Sequence, residues 1–330
     1  MGSLTIAAAI EKYLDSIRLA RSVHTALTYK NALNTFQRVL GQHRLEPRTS
    51  PAAALTEDRI ALLATYLKNS SPATERLYVQ AVAGFYKYLA AERLADINLP
   101  RLDLLIKQRT RKPGIRLPQF PATDIERVLE FFRNPEIAST DSATDHLRAM
   151  RDCAFLITLA DTGLRVHEAC KLRRGDIDWN EGRAVIIGKG NKQAVVRFSR
   201  RALDSLRGYL ALRSGLDGGS GRPLASLPVF ARHDNGAGKK VKPITPTTGR
   251  NIVDERVRQA LGDTVKGNIT PHSFRHYFVT TVLRGSGNLK LAQELARHSN
   301  IQVTQRYAHL SDDELDKGYY EIFEPKKNDS

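Results

Sequence analysis

The sequence predicts a mainly α fold with a small β-sheet (α+β), built in two parts. Three observations carry this. Apolar residues recur at helical spacing through most of the chain, one stretch alternates like a hairpin, and a basic, proline-containing segment separates a helical first third from the remainder. At 330 residues the chain has room for two domains. With 41% hydrophobic and 26% charged residues, it can bury a core in each.

The first hundred residues read as a small helical bundle. Leu4 to Leu19 places Ile6, Ile10, Tyr13, Leu14 and Ile17 along one side. Ser22 can cap a second helix running to about Leu40 and ending at Gly41. Thr56 opens a third, with Ile60, Leu63 and Leu67 inward. Ser71-Pro72 opens a fourth in the favoured cap-then-proline order, carrying Leu77, Val82, Phe85, Tyr86 and Leu89. Composition then shifts: "LLIKQRTRKPGIRLP" (104–118) holds five cations, no acid, two prolines and a glycine, the pattern of an extended linker. The expected division is a helical domain over 1–103, a basic linker over 104–121 and a second domain over 122–330 that closes with a C-terminal helix.

In the second domain, Thr123 to Glu126 reads as a capping box opening "DIERVLEFF". An apolar helix follows from about Asp145 to Ala160 and stops at Gly163. Residues 184–198 alternate around Gly-Asn and predict a hairpin. Helices are expected near 200–213, 247–261, 273–285, 288–297, 302–309 and 312–322, with an irregular Gly-rich loop between Ser214 and Lys242.

Charge and cysteines narrow the function. Lysine and arginine outnumber acids 51 to 35, giving +16, and the first 121 residues alone hold 18 basic and 9 acidic side chains, or +9. Such an excess favours a polyanion, because bound phosphates release condensed counterions. Cys153 and Cys170 sit in apolar helical contexts without metal-ligand spacing, which predicts two buried, reduced thiols. No signal peptide is evident, and no apolar run approaches the about 18 residues of a membrane span. The expectation is a soluble, cytoplasmic protein, associated with the nucleoid when bound to DNA.

The chemistry concentrates in the C-terminal third. In "TPHSFRH" (270–276), Pro271 and Ser273 mark a helix start, so His272 and Arg275 share a face beside the helix N-terminus. Taken alone, the stretch admits a metal pair, a capped surface helix or a phosphate grip. His298 follows Arg275 by 23 residues and Tyr307 follows His298 by nine. Upstream stands "DTGLRVHEACKL" with Arg165, and Lys189 lies 24 residues beyond it on the hairpin.

The T-G-L-R-x-x-E box, the G-K-G-N-K hairpin, H-x-x-R-H, the His-Ser junction and the tyrosine of "TQRYAH" resemble the tyrosine recombinase (phage integrase) family, in its order and spacing over roughly residues 160–310. The compact arrangement is similar to its simple, Xer-like members. The resemblance implies a SAM-like, DNA-clamping core-binding domain at the N-terminus and a catalytic domain after it. It implies catalysis by Arg165, Lys189, His272, Arg275, His298 and Tyr307, with Tyr307 the nucleophile, and no cofactor, metal or ATP. It also implies double-stranded DNA with paired inverted half-sites as partner, and a tetramer on two sites assembled through the C-terminal helix.

These residue types suit the reaction. Phosphodiester cleavage without metal needs cations against the pentacoordinate phosphorus, and a guanidinium fork stays protonated while bonding two oxygens. A tyrosine hydroxyl, with an ordinary pKa near 10, needs activation. His272 is the expected proton acceptor, and the resemblance implies that Lys189 is the acid for the departing 5′-oxygen and that His298 bonds the phosphate.

Lys192 competes with Lys189 for the acid role, but Lys189 matches the family's position between the glycines. Tyr277 is expected in the core, the Tyr319-Tyr320 pair on an apolar helix face, and His276 in a supporting place. Glu168 is expected to orient an arginine or the local fold. One departure stands out: many members read Leu-Gly-His-Ser where this chain has Leu295-Ala296-Arg297-His298-Ser299, which removes a flexible position and adds charge near the phosphate. Two alternatives to recombination remain open here, a type IB topoisomerase that nicks and reseals, and a non-catalytic DNA-binding protein of the same fold.

Overall fold

The computed structural model describes residues 4–111, 122–132, 142–188, 193–234, 236, 240–263, 269–298 and 300–305. The chain divides into two compact units, Met1–Arg116 and Leu117–Ser330. No helix among the described residues is long and apolar enough to cross a membrane.

The first unit is helical: α1 Ile6–Ala20, α2 Val23–Gln42, α3 Asp58–Tyr66, α4 Pro72–Ala91 and α5 Leu99–Arg109. Local capping sets three of the starts. Thr5 Oγ1 accepts from Ala8 N–H at 3.3 Å, Ser22 Oγ from Thr25 N–H at 3.3 Å, and Ser71 Oγ from Thr74 N–H at 3.1 Å. The inward stripe, including Ile10, Leu14, Leu33, Phe36, Leu63, Phe85 and Tyr86, forms one core. Tyr86 keeps its hydroxyl satisfied there by donating to Thr56 O at 2.9 Å.

Two expectations change. The third helix starts at Asp58 rather than Thr56, because Glu57 turns its carboxylate to Asn98 N–H and Arg101 instead of continuing a helical cap. Residues 104–109, expected in an extended linker, are the last turns of α5. Leu102 is fully buried, and Leu105 and Ile106 pack on the same core, so apolar burial at helical spacing overrides the basic composition. Beyond the helix, Arg111 is fastened to Glu75, whose side chain is fully buried: Arg111 N–H and Lys68 Nζ donate to its Oε1 at 3.0 and 2.7 Å, and Arg111 Nε to its Oε2 at 2.5 Å.

The second unit contains α6 Ala122–Phe131, α7 Ala143–Thr162, α8 Val166–Lys171, β1 Ile177–Asp178, β2 Arg183–Ile187, β3 Gln193–Arg197, α9 Arg200–Leu212, α10 Ser214–Gly218, α11 Pro246–Leu261, α12 Pro271–Ser286, α13 Leu289–Ala296 and α14 Ile301–Gln305. Helix α7 is the central post. It packs against α9 and α12, and its buried Phe155, Leu156 and Leu159 join a core that extends from Ile125 in α6 to Phe274 in α12, with Phe155 edge to face on Phe230. Truncating a side chain such as Leu159 to alanine is expected to cost about 2–5 kcal/mol.

The predicted hairpin is present and extends to a three-stranded antiparallel sheet, β1-β2-β3, because Ile177 and Asp178 pair with Ala184 and Arg183. The register Ile187↔Gln193 leaves five residues, 188–192, between the strands, where a two-residue turn would leave an even number. Along the strands Ala184, Ile186 and Val196 are buried, while Val185, Ile187 and Val195 face outward.

Three further expectations are corrected. Thr123 lies inside α6, which already begins at Ala122, so it does not cap that helix. The Gly-rich stretch after Ser214 is partly built in: Leu227, Val229, Phe230 and Ala231 are buried, and Ala231 bridges Pro243. Its anchor is Arg213, fully buried and paired with Asp217 while donating to the carbonyls of Pro228 and Val229 at 2.8 Å. Cys170 is buried but Cys153 only partly so; both thiols are free. The helix expected at 312–322 lies outside the described residues, as does 306–309 of the one expected at 302–309.

Candidate active site

Four of the six expected site residues, Arg165, His272, Arg275 and His298, lie in described parts of the second unit. Lys189 and Tyr307, and the competitor Lys192, lie outside the described residues.

The turn after α7 organises the four. Gly163 ends that helix in the left-handed region (φ 59°), and its N–H donates to Leu159 O at 3.2 Å. A Cβ there would collide with the ring of Phe278 on α12, so glycine is required both for the backbone and for the close approach of α12. The Gly163 carbonyl accepts from Arg275 Nη1, and the Ala296 carbonyl at the end of α13 accepts from Arg275 Nη2. Arg275 is only 3% exposed and ties together the ends of α7 and α13. A guanidinium carries five N–H donors, and these two bonds use two of them.

Arg165, two residues beyond Gly163, precedes α8. Its main-chain N–H donates to Glu168 Oε2 and its Nη1 to Glu168 Oε1, both at 2.9 Å. The Arg165 side chain is 38% exposed while that of Glu168 is 1% exposed, so a buried carboxylate aims an arginine that still reaches solvent. Burial raises the Glu168 pKa, but the Arg165 hydrogen bonds and the Arg297 charge outweigh it and the net shift is downward. Glu168 thus orients an arginine, as expected.

The histidines surround this pair electrostatically. His272 occupies the first turn of α12, after Pro271 at its start. Its ring meets that of His276 edge to face, with centroids 4.3 Å apart. Partial desolvation, then the charges of Arg275 and Arg165, lower the His272 pKa. Burial, then the neighbouring His272 and Arg275, takes His276 down to about 4. His298 is also lowered to about 4, by burial and then by Arg275, Arg165, His272 and Arg297. Its Nδ1 lies 2.9 Å from the hydroxyl of buried Thr304 in α14, which fixes the ring. His276 and His298 are therefore neutral at pH 7, and His272 is shifted toward its neutral form. Tyr277, expected in the core, is buried there.

The residue least legible from sequence is Arg297. It takes the left-handed conformation (φ 58°, ψ 43°) that closes α13, a placement that costs a side-chain-bearing residue about 1–2 kcal/mol relative to glycine. The charge expected near the phosphate is instead turned inward. The side chain is 11% exposed, and its Nη2 donates to Glu168 Oε2 at 3.1 Å and to Gly163 O at 3.3 Å. Glu168 and Arg297 are 129 residues apart, and no local pattern announces their contact.

This arrangement can hold and polarise a phosphate, with two arginines fixed through one turn and neutral imidazoles beside them. Comparison with known proteins agrees. A sequence model of the phage integrase family matches residues 123–314, and one of the phage integrase N-terminal SAM-like domain matches residues 10–100. The tyrosine recombinase XerC of Bacillus subtilis (strain 168) is 30% identical over 302 residues, covering 90% of each chain. That of Bacillus licheniformis is 31% identical over 307 residues, again 90% of each. Among solved structures, the fold is similar to XerH site-specific recombinase bound to a palindromic difH substrate (TM-score 0.68, 19% identity, 94% of this chain and 83% of that one). It is also similar to a lambda integrase dimer bound to a COC′ core site (TM-score 0.62, 17% identity, 92% and 95%). The chain belongs to the phage integrase family, the tyrosine-type site-specific recombinases.

Proposed function

We propose that this site-specific recombinase cleaves DNA through a 3′-phosphotyrosyl intermediate at Tyr307. The observation that carries the reading is the fixing of Arg165 and Arg275 about Gly163 beside three imidazoles whose pKa values are lowered. Arg165 and Arg275 neutralise the non-bridging oxygens as negative charge develops on phosphorus. Tyr307 attacks, and its hydroxyl proton passes to His272, whose lowered pKa keeps it able to accept one at neutral pH. The bond from phosphorus to the 5′-oxygen breaks, Lys189 supplies that oxygen's proton, and His298 hydrogen-bonds the phosphate. The tyrosyl ester keeps the bond energy, so a partner strand's 5′-hydroxyl can reverse the step, giving a Holliday junction that a second round resolves. Neither ATP nor metal enters this scheme.

In the same reading, the first unit is the core-binding domain that clamps the duplex, and the basic segment that follows tethers it to the catalytic domain. Paired inverted half-sites recruit four protomers, joined through their C-terminal helices, in the cytoplasm.

The test uses a nicked duplex built on the site that the protein protects in a footprint of its own genomic DNA. In EDTA, wild type is expected to form a detergent-stable DNA adduct and Tyr307→Phe none. No adduct from wild type, or an undiminished one from Tyr307→Phe, removes the mechanism.

A further inference from the structure

We propose that Arg297 is a positioning residue for strand cleavage, acting through Glu168 and the Gly163 carbonyl; this rests on the recombinase mechanism above. Its Nη2 contacts the two acceptors that place the two arginines of the site. Gly163 O also receives Arg275 Nη1, and Glu168 Oε2 also receives the Arg165 main-chain N–H. One side chain at the end of α13 therefore braces both the turn that holds Arg275 and the carboxylate that holds Arg165.

The charge balance gives this contact a consequence. With Arg165 alone, the buried Glu168 carboxylate would form a one-to-one pair and cancel most of the field that Arg165 directs at a phosphate. Arg297 shares the same carboxylate from within the protein, at 11% exposure, so the cluster keeps a net positive charge with Arg165 as its solvent-facing member.

The placement is not what folding alone selects. The backbone sits in the left-handed region that favours glycine. Nε and Nη1 of Arg297 are buried without a hydrogen-bond partner among the described residues, which opposes burial of a guanidinium. Glycine would relieve both costs, at the loss of the ion pair with Glu168. It would not brace the site.

Cleavage should therefore fall in Arg297→Gly by more than any loss of folded or DNA-bound protein accounts for. Full-length wild type, Arg297→Gly and Arg297→Lys are compared on the footprint-derived nicked duplex, with binding, single-turnover adduct formation and thermal unfolding measured for each. Arg297→Gly loses a buried ion pair and gains a residue suited to the left-handed backbone, so it is expected to remain folded at the assay temperature and to bind the duplex within about threefold. Its adduct should form roughly 10- to 100-fold more slowly, as slight misplacement of catalytic groups allows. Arg297→Lys, which keeps the charge and one donor direction, should recover part of the rate. The proposal is overturned if Arg297→Gly cleaves at the wild-type rate, or if its loss of adduct only tracks a loss of folded or DNA-bound protein. If wild type binds but forms no adduct, the recombinase mechanism fails and this inference falls with it. A normal wild-type adduct beside an equally active Arg297→Gly sinks this inference alone.

Discussion

Each unit of the molecule contains a buried glutamate held between two cations, and the two are put to different uses. In the first unit, Glu75 lies between Lys68 and Arg111, and both cations also bond main-chain carbonyls: Lys68 to Arg109 O, Arg111 to Leu67 O and Ser70 O. In the second, Glu168 lies between Arg165 and Arg297, and among the described residues the guanidinium of Arg165 uses only Nη1, on that carboxylate. The carboxylates are alike: burial raises each pKa, hydrogen bonds and cationic charge overcome it, and both end lowered. What differs is how much hydrogen-bonding capacity the cations retain. The same buried ion cluster is a fastener when its donors are consumed by the chain, and it is fit to bind an anion, as the proposed mechanism requires, when one partner keeps donors toward solvent.

The comparison can be broken by substitution, beginning where the effect should be largest. Arg275→Lys removes the planar fork that donates to two carbonyls and that the proposed mechanism aims at a phosphate. Adduct formation should fall roughly 100- to 1000-fold, and a near-normal rate would show that a point charge suffices. Glu168→Gln leaves two arginines without their carboxylate, so the rate should fall roughly 10- to 100-fold and stability by about 3 kcal/mol in chemical denaturation. Glu75→Gln should also destabilise, by about 2–3 kcal/mol, less than a fully enclosed pair because Lys68 and Arg111 are each more than a third exposed. Below its unfolding temperature that variant should still form adduct within about twofold of wild type; a large rate loss would erase the distinction between the two glutamates.

A smaller effect concerns pH. His276 and His298 have folded pKa values of about 4 against an ordinary 6.5, so the unfolded chain binds protons that the folded one refuses between those values. Their contribution to stability is complete above pH 6.5 and is lost as pH falls toward 4. Lowering the pH of the free protein from 6.5 to 4.5 should reduce its unfolding temperature by roughly 6–16 °C, and His276→Gln should flatten the slope. An unchanged midpoint across that interval would mean the imidazoles are not held neutral.

What could be read in the sequence was mostly local. Ser22 and Ser71 cap helices through contacts three residues away, and Gly163 marks the end of α7, so these boundaries lie in short words of sequence. The catalytic reading rested on five short motifs spread over 150 residues, and four of the six residues it chose fall in described parts of one unit. The misreadings came from composition and from contacts distant in sequence. Basic composition hid α5, although Leu102, Leu105 and Ile106 already had helical spacing. Glycines suggested an open loop around Leu227 to Ala231, whereas Arg213 and a bridge to Pro243 draw it inward. Arg297 looked like added charge for a phosphate because its partners, Gly163 and Glu168, are more than a hundred residues away.

The fastening of Arg111 has a practical consequence for dissecting the molecule. A fragment ended at residue 103 would cut α5 in half, expose the core facing Leu105 and Ile106, and leave buried Glu75 without Arg111. Its failure to fold would then say nothing about the autonomy of the module. A separately expressed first unit should run through Arg111 at least, and flexible insertions or fluorescent tags meant to vary the tether should begin after that residue, where they leave the clamp on Glu75 intact.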